Sequence, residues 1–319
     1  MDVVGCAGIL VADTICGPMD SLPEEGQLLA IDALPTTAGG CGANVAINLG
    51  KQGIASGVAG RLGRDPSAQV VLNELRRAGA DTERITYSDT QPTSQTIILL
   101  VRGQDRRFIH VFGANKEFAV SHIDRDWVAG LKVLYLGGLF VLPAILMDEL
   151  ADLFAFCRSQ GVVTMLDVVI PLHQTGMNDL DKILPHVDYF VPNDDEARLL
   201  TGTSDPLAQA RTFQACGAGT VIITRGKHGL LALRGDDLWR ADAFQVEAVD
   251  PSGGGDAFSA GIITGIVRGW DMPQMLTYGG VLGASATLAP GTTTGVFTTA
   301  EAETFLQTHR LNISHETVS

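Results

Sequence analysis

Three consecutive glycines ending on an acid, Gly253-Gly254-Gly255-Asp256, mark the part of this 319-residue chain whose residue types bear most directly on chemistry. Glycine lets backbone N–H groups approach an anion closely. The apolar residues that follow, Phe258, Ile262, Ile263, Ile266 and Val267, recur at helical spacing, so the run stands at a helix N-terminus, where the helix dipole favours phosphate. A carboxylate beside a bound phosphate repels it unless it has work to perform. The work open to Asp256 is to take the proton of a hydroxyl as that hydroxyl attacks. The plainer alternative is a tight glycine turn with Asp256 capping the helix.

Other groupings carry similar double readings. In Gly39-Gly40-Cys41-Gly42-Ala43-Asn44 the glycines bring backbone close to a polyol and the Asn44 amide both donates to and accepts from hydroxyls; a strand-to-helix turn capped by Asn44 explains the same residues. Asn193 and Glu196 stand three apart at the start of a helical pattern, which suits a magnesium-bound water and equally suits a capping box. Thr224-Arg225-Gly226-Lys227-His228-Gly229 offers N–H groups, a hydroxyl and two cationic side chains to phosphate oxygens, or forms an ordinary hairpin turn. Asp13 follows the first apolar run, as a strand-end acid or a turn residue.

The elements that position these residues alternate. Buried-strand patterns cover residues 3–10, 55–59, 133–136, 163–166, 189–191 and 221–224, separated by helical patterns at 43–52, 67–78, 145–160 and 207–215. Such alternation predicts an α/β fold with a doubly wound, mostly parallel central sheet flanked by helices, which binds ligands at the carboxyl ends of its strands. Residues 27–34 and 93–112 lack helical period and carry a turn at Gly103-Gln104-Asp105; they predict a small antiparallel β lid. We expect one domain over 1–319, with lid insertions at about 14–37 and 93–115.

Composition narrows the function. With 22 Lys and Arg against 36 Asp and Glu, the formal net charge is −14, which opposes binding to nucleic acid. Five scattered cysteines without metal-ligand spacing point to reduced thiols in a cytoplasmic protein, and no apolar stretch is long enough to span a membrane.

The segment 250–256, Asp-Pro-Ser-Gly-Gly-Gly-Asp, is similar to the D-T-x-G-A-G-D signature of the ribokinase-like (PfkB) carbohydrate kinase family, with Pro251, Ser252 and Gly254 as mild departures. Gly39 to Asn44 resembles that family's sugar-binding G-G-x-x-x-N element, and Gly60-Arg61-Leu62-Gly63-Arg64-Asp65 the G-x-x-G-x-D after it. Leu22-Pro23-Glu24-Glu25-Gly26 resembles the entry to the lid, Asn193 to Glu196 the N-x-x-E motif, and Thr224 to Gly229 the nucleotide-binding turn. These motifs occur in the family's order between about Asp13 and Gly295, which carries more weight than any one of them.

The resemblance implies ATP-dependent phosphorylation of a hydroxyl on a small sugar or sugar derivative, with ATP and Mg2+ as cofactors. It implies Asp256 as the base and Gly253, Gly254 and Gly255 as the anion hole. Asp13, Gly39, Gly40, Cys41, Gly42 and Asn44 are then the sugar contacts. Asn193, Thr224, Gly226, Lys227, Gly229 and Gly255 are the nucleotide contacts, and Glu196 holds Mg2+ through water. Asp250, Ser252 and Gly291, with the loop Ala289-Pro290-Gly291-Thr292-Thr293-Thr294-Gly295, would hold a monovalent cation such as K+. Cys41 stands where ribokinases proper often carry Lys, which argues against ribose itself.

No G-x-x-x-x-G-K-[ST] occurs, and the first strand is not followed by G-x-G-x-x-G, so a P-loop kinase and a nicotinamide dehydrogenase are both disfavoured. A nucleoside kinase of the same family and a catalytically silent sugar-binding regulator remain open. Segment 106–110, Arg-Arg-Phe-Ile-His, offers charge to an acidic sugar or a sugar phosphate, or is a solvated lid strand. The exposed face of a lid sheet predicts a homodimer.

Overall fold

A computed structural model describes residues 2–104, 106–171, 175–177 and 179–318. Its strands are β1 (Val4–Gly8), β2 (Val11–Met19), β3 (Thr36–Gly39), β4 (Ser56–Leu62), β5 (Ile85–Tyr87), β6 (Ser94–Val101) and β7 (Arg107–Val111) in the first part of the chain. The rest are β8 (Val133–Gly137), β9 (Val163–Leu166), β10 (Tyr189–Phe190), β11 (Thr220–Thr224), β12 (Leu230–Arg234), β13 (Asp237–Ala241) and β14 (Ile313–Thr317).

Ten of them form the central sheet in the order β14-β13-β12-β11-β10-β9-β8-β1-β4-β5. The run from β11 to β5 is parallel; β12, β13 and β14 continue it antiparallel. Alternation along β8 shows why helices cover both faces. Val133 and Tyr135 enter the core shared with helices Cys41–Lys51, Pro66–Arg77 and Gly254–Arg268, while Leu134 and Leu136 enter the core under Met147–Ser159 and Pro206–Ala215.

The lid is the separate sheet β3-β2-β6-β7. Its central pair, β2 and β6, is parallel; β2–β3 and β6–β7 are antiparallel. Two sequence expectations need correction. Residues 27–34 contain no strand, and the lid instead draws its first two strands from 11–19 and 36–39. Asp13 does not end the first strand but lies within β2, beside Thr37 of β3 and Thr96 of β6. Of the expected turn at Gly103-Gln104-Asp105, Asp105 lies outside the described residues.

Candidate active site

The carboxyl ends of the parallel strands and two helix N-termini converge on Asp256. Helix Gly254–Arg268 starts from Gly253, whose φ of 74° is left-handed and whose added Cβ would fall 2.0 Å from the Thr292 carbonyl. Only glycine fits there. No side chain caps this helix, so its first N–H groups remain available to an anion. Gly254 and Gly255 lie in that first turn, and a Cβ on Gly255 would meet nothing within 4 Å.

Asp256, in the same turn, accepts a 2.7 Å hydrogen bond from the Asn44 side-chain amide. Asn44 is held in that orientation by the Thr292 hydroxyl, which donates to its carbonyl oxygen at 2.9 Å. Asn44 therefore does not cap its helix; it stands buried between the base candidate and the C-terminal loop. The Cys41 sulfur and one oxygen each of Asp167 and Asp256 lie within 4.8 Å of one another. Burial, together with the nearby Asp256 charge, pushes the Cys41 thiol well up, so it stays protonated and donates toward the carboxylate.

Around this point the carboxylates crowd. Burial raises the Asp256 pKa, against the opposing hydrogen bonds from Asn44 and Cys41. Asp167, which follows β9 and accepts from Tyr135 Oη at 3.1 Å, is pushed well up by burial and by the charges of Glu196 and Asp256. Glu196 is pushed up to about 7, by burial first and then by Asp256. Asp13 rises to about 6 by burial, with Thr96 opposing the shift and Asp256 adding to it. Acids that repel each other in a partly dry site suit a divalent cation.

Gly39, Gly40 and Gly42 have packing reasons. A Cβ on Gly39 would sit 1.9 Å from Asp13 Oδ2, so the glycine lets that carboxylate lie against β3. Gly40 begins helix Cys41–Lys51 at φ 87°, and the Gly42 N–H donates to the Ile9 carbonyl at 3.2 Å. Asp65 caps helix Pro66–Arg77 and also accepts from Thr93 N at 2.7 Å, tying that helix to the start of the lid strand β6.

Asn193 and Glu196 form the reciprocal capping box, at 2.9 Å in each direction, while the Glu196 carboxyl still feels Asp256 electrostatically. Thr224 ends β11, and Gly226 to Gly229 form the hairpin turn into β12. There Lys227 is exposed, and Gly229 must be glycine because a Cβ would fall 1.9 Å from the Ala241 carbonyl. Lys227 and His228 border a cleft of ≈ 480 Å³ shared with Phe244, Gln245 and Arg310.

Asp250, Ser252 and Gly291 also converge. Asp250 Oδ1 accepts from Ser252 N at 2.9 Å, and Oδ2 accepts from Gly291 N at 3.0 Å. Arg106, from the lid, donates Nη1 to Asp250 Oδ1 at 2.9 Å and to the Ser252 hydroxyl. Lys51 places its ammonium on the carbonyls of Thr293 at 2.6 Å, Val296 at 2.9 Å and Thr294 at 3.4 Å.

Asp167, Tyr135 and Lys51 escaped the sequence reading. Asp167 follows the apolar run Val163–Leu166 as Asp13 follows the first one, so the same pattern points to it. Tyr135 and Lys51 look like ordinary strand and helix residues.

Comparison with known proteins shows the family. The pfkB family carbohydrate kinase model matches residues 4–299. The chain is 27% identical over 301 residues to the 2-dehydro-3-deoxygluconokinase of Bacillus subtilis, covering 90% of this chain and 92% of that one. It is 30% identical over 247 residues to the deoxyribokinase of Salmonella typhi, covering 75% and 78%. An E. coli structure described as a ribokinase II in complex with ATP and Mg2+ superposes with a TM-score of 0.84 at 22% identity, covering 97% of this chain and 100% of that one. The chain therefore belongs to the pfkB family of carbohydrate kinases and is a sugar kinase.

Proposed function

We propose that this chain transfers the γ-phosphoryl group of ATP to a hydroxyl of a small sugar or sugar derivative, with Asp256 as the general base. The observation that carries the reading is the placement of Asp256: a carboxylate raised by burial, fixed by Asn44 at 2.7 Å, in the first turn of a helix whose N-terminus has no side-chain cap. A positioned carboxylate with a raised pKa, next to N–H donors that no side chain caps, suits phosphoryl transfer to an alcohol.

In this account Asp13 and the glycines at 39, 40 and 42 present acceptors and close backbone to the substrate hydroxyls, and Cys41 and Asn44 orient the base beside them. Asp256 takes the hydroxyl proton as the oxygen attacks. The N–H groups at Gly253, Gly254 and Gly255 gather the charge that develops on the transferred phosphoryl oxygens. Thr224 and the turn at Gly226, Lys227 and Gly229 receive the nucleotide phosphates, with Asn193 beside them. Magnesium, when bound, neutralises phosphate charge. The crowded acids Glu196 and Asp167 fit a hard divalent cation, Glu196 acting through water, which leaves Asp256 free as the base.

The lid supports a dimer. On β6 and β7, Ile97, Phe108, Ile109 and Val111 are exposed, and β7 is an unpaired edge. A second copy of this chain would cover them, and a monomeric mass at micromolar concentration would count against it.

The reading is tested by incubating the protein with ATP and Mg2+ and a panel of pentoses, hexoses, keto-deoxy acids, sugar phosphates and nucleosides, and following ADP release. At least one sugar should stimulate release well above the acceptor-free rate. A response to nucleosides alone would favour the nucleoside-kinase reading, and no response to any acceptor would favour a silent binding protein.

A further inference from the structure

The residues expected to hold a monovalent cation do not fit one. A potassium ion needs oxygen lone pairs directed at it, but both oxygens of Asp250 already accept N–H donors, Ser252 N and Arg106 Nη1 on Oδ1 and Gly291 N on Oδ2. Gly291 thus turns its N–H, a donor, toward the carboxylate. The Ser252 hydroxyl is engaged by the same Arg106 nitrogen. Farther along the loop, the carbonyls of Thr293, Thr294 and Val296 are gathered by the Lys51 ammonium. Two side-chain cations from the chain itself therefore already bind Asp250 Oδ1, the Ser252 hydroxyl and three loop carbonyls here.

Arg106 differs from Lys51 in where it comes from. It lies immediately before β7, in the connection between β6 and β7, whereas Asp250 and Ser252 lead directly into Gly253 and the glycine run, 144 and 146 residues along the chain. The Arg106 and Asp250 side chains are only 23% and 12% exposed, so the pair is partly sheltered from solvent screening. Its guanidinium also lies 5.6 Å from the centre of the Phe108 ring, which holds the side chain against its own strand.

Resting on the kinase reading above, we propose that Arg106 is a tethered cation that the lid delivers to Asp250 and Ser252 in place of a free monovalent ion. The catalytic centre then needs no K+, and the order of the turn leading into Gly253 depends on the lid being down. Lid position and anion-hole geometry are coupled through one ion pair.

The experiment compares KCl with tetramethylammonium chloride at matched ionic strength, using wild type, Arg106→Met and Arg106→Lys. It reads the thermal unfolding midpoint and acceptor-stimulated ADP release. For wild type the midpoint should show no K+-specific rise, and turnover should agree within about twofold between the two salts. Arg106→Met should lose roughly tenfold in turnover without K+, because Asp250 is left an uncompensated, sheltered charge, and KCl should restore much of the loss and raise its midpoint. Arg106→Lys should keep its independence from K+. A K+-specific midpoint rise or a several-fold K+ activation in wild type overturns the proposal. So does an Arg106→Met protein whose midpoint ignores K+ or whose lost turnover KCl fails to repair. The unfolding arm decides even if no acceptor is phosphorylated, a result that would defeat the kinase reading separately.

Discussion

Asn44 and Asp256, 212 residues apart in sequence, meet through a 2.7 Å hydrogen bond in which the amide donates to the carboxylate, and Thr292 fixes which way the amide faces. This contact bears on the protonation of the proposed base. Burial raises the Asp256 pKa and the Asn44 hydrogen bond opposes that rise. Only the deprotonated form accepts a proton from substrate, so activity must fall as pH drops through the raised value. The acid limb of kcat/KM against pH should therefore lie above the ordinary carboxylate range. Asn44→Leu removes a donor to a charged group, worth about 1.5–3 kcal/mol, and should move that limb further upward. An unmoved limb would show that the Asn44 contact does not tune the base.

Asp13 predicts a trade of stability for function. Its carboxyl is raised from 3.8 to about 6 in the folded chain, so the native state binds its proton more tightly than the unfolded state does. The stability this proton confers is complete below pH 4 and is lost as pH rises through about 6. At pH 7 and above, the buried charge is a standing cost. Asp13→Asn should then raise stability at neutral pH by on the order of 1–3 kcal/mol, with little effect near pH 4, and should raise KM or abolish turnover. Denaturant melts at the two pH values check this; equal effects at both would contradict it.

The glycines proposed as an anion hole should separate into two kinds. Gly253 has a left-handed φ of 74° and would bring a Cβ to 2.0 Å from the Thr292 carbonyl, so Gly253→Ala should destabilise the fold by more than about 1 kcal/mol. Gly255 has open space around its Cβ position, and Gly255→Ala should melt at or slightly above the wild-type temperature. On the proposed anion hole its methyl group would intrude on phosphate oxygens, so ATP affinity or turnover should fall about tenfold or more. Wild-type kinetics for Gly255→Ala would remove that residue from the anion hole.

Much of the architecture was legible because it is written in local patterns. Apolar runs gave β8 and β9 nearly to the residue, and the glycine run gave the start of helix Gly254–Arg268. The lid was harder. Residues 27–34 have strand-like composition yet pair with nothing, while Val11–Met19 continues almost directly from β1 into another sheet, a change of partner that no local period reveals. The same limit applies to the site. Asn44, Cys41 and Asp256 stood out by motif, but the Thr292–Asn44 and Arg106–Asp250 contacts span 248 and 144 residues and depend on folded geometry. Asn193 to Glu196 shows the opposite outcome, since the capping box expected from local spacing forms as written.

The most direct test of the central claim is the turnover of Asp256→Asn at saturating ATP, Mg2+ and sugar, with ATP binding measured on the same protein. The account predicts that kcat falls by about 100-fold to 10,000-fold, the range a positioned base contributes, while ATP binds as tightly as before or more tightly because a negative charge near the phosphates is gone. An Asp256→Asn enzyme that turns over at the wild-type rate would contradict it.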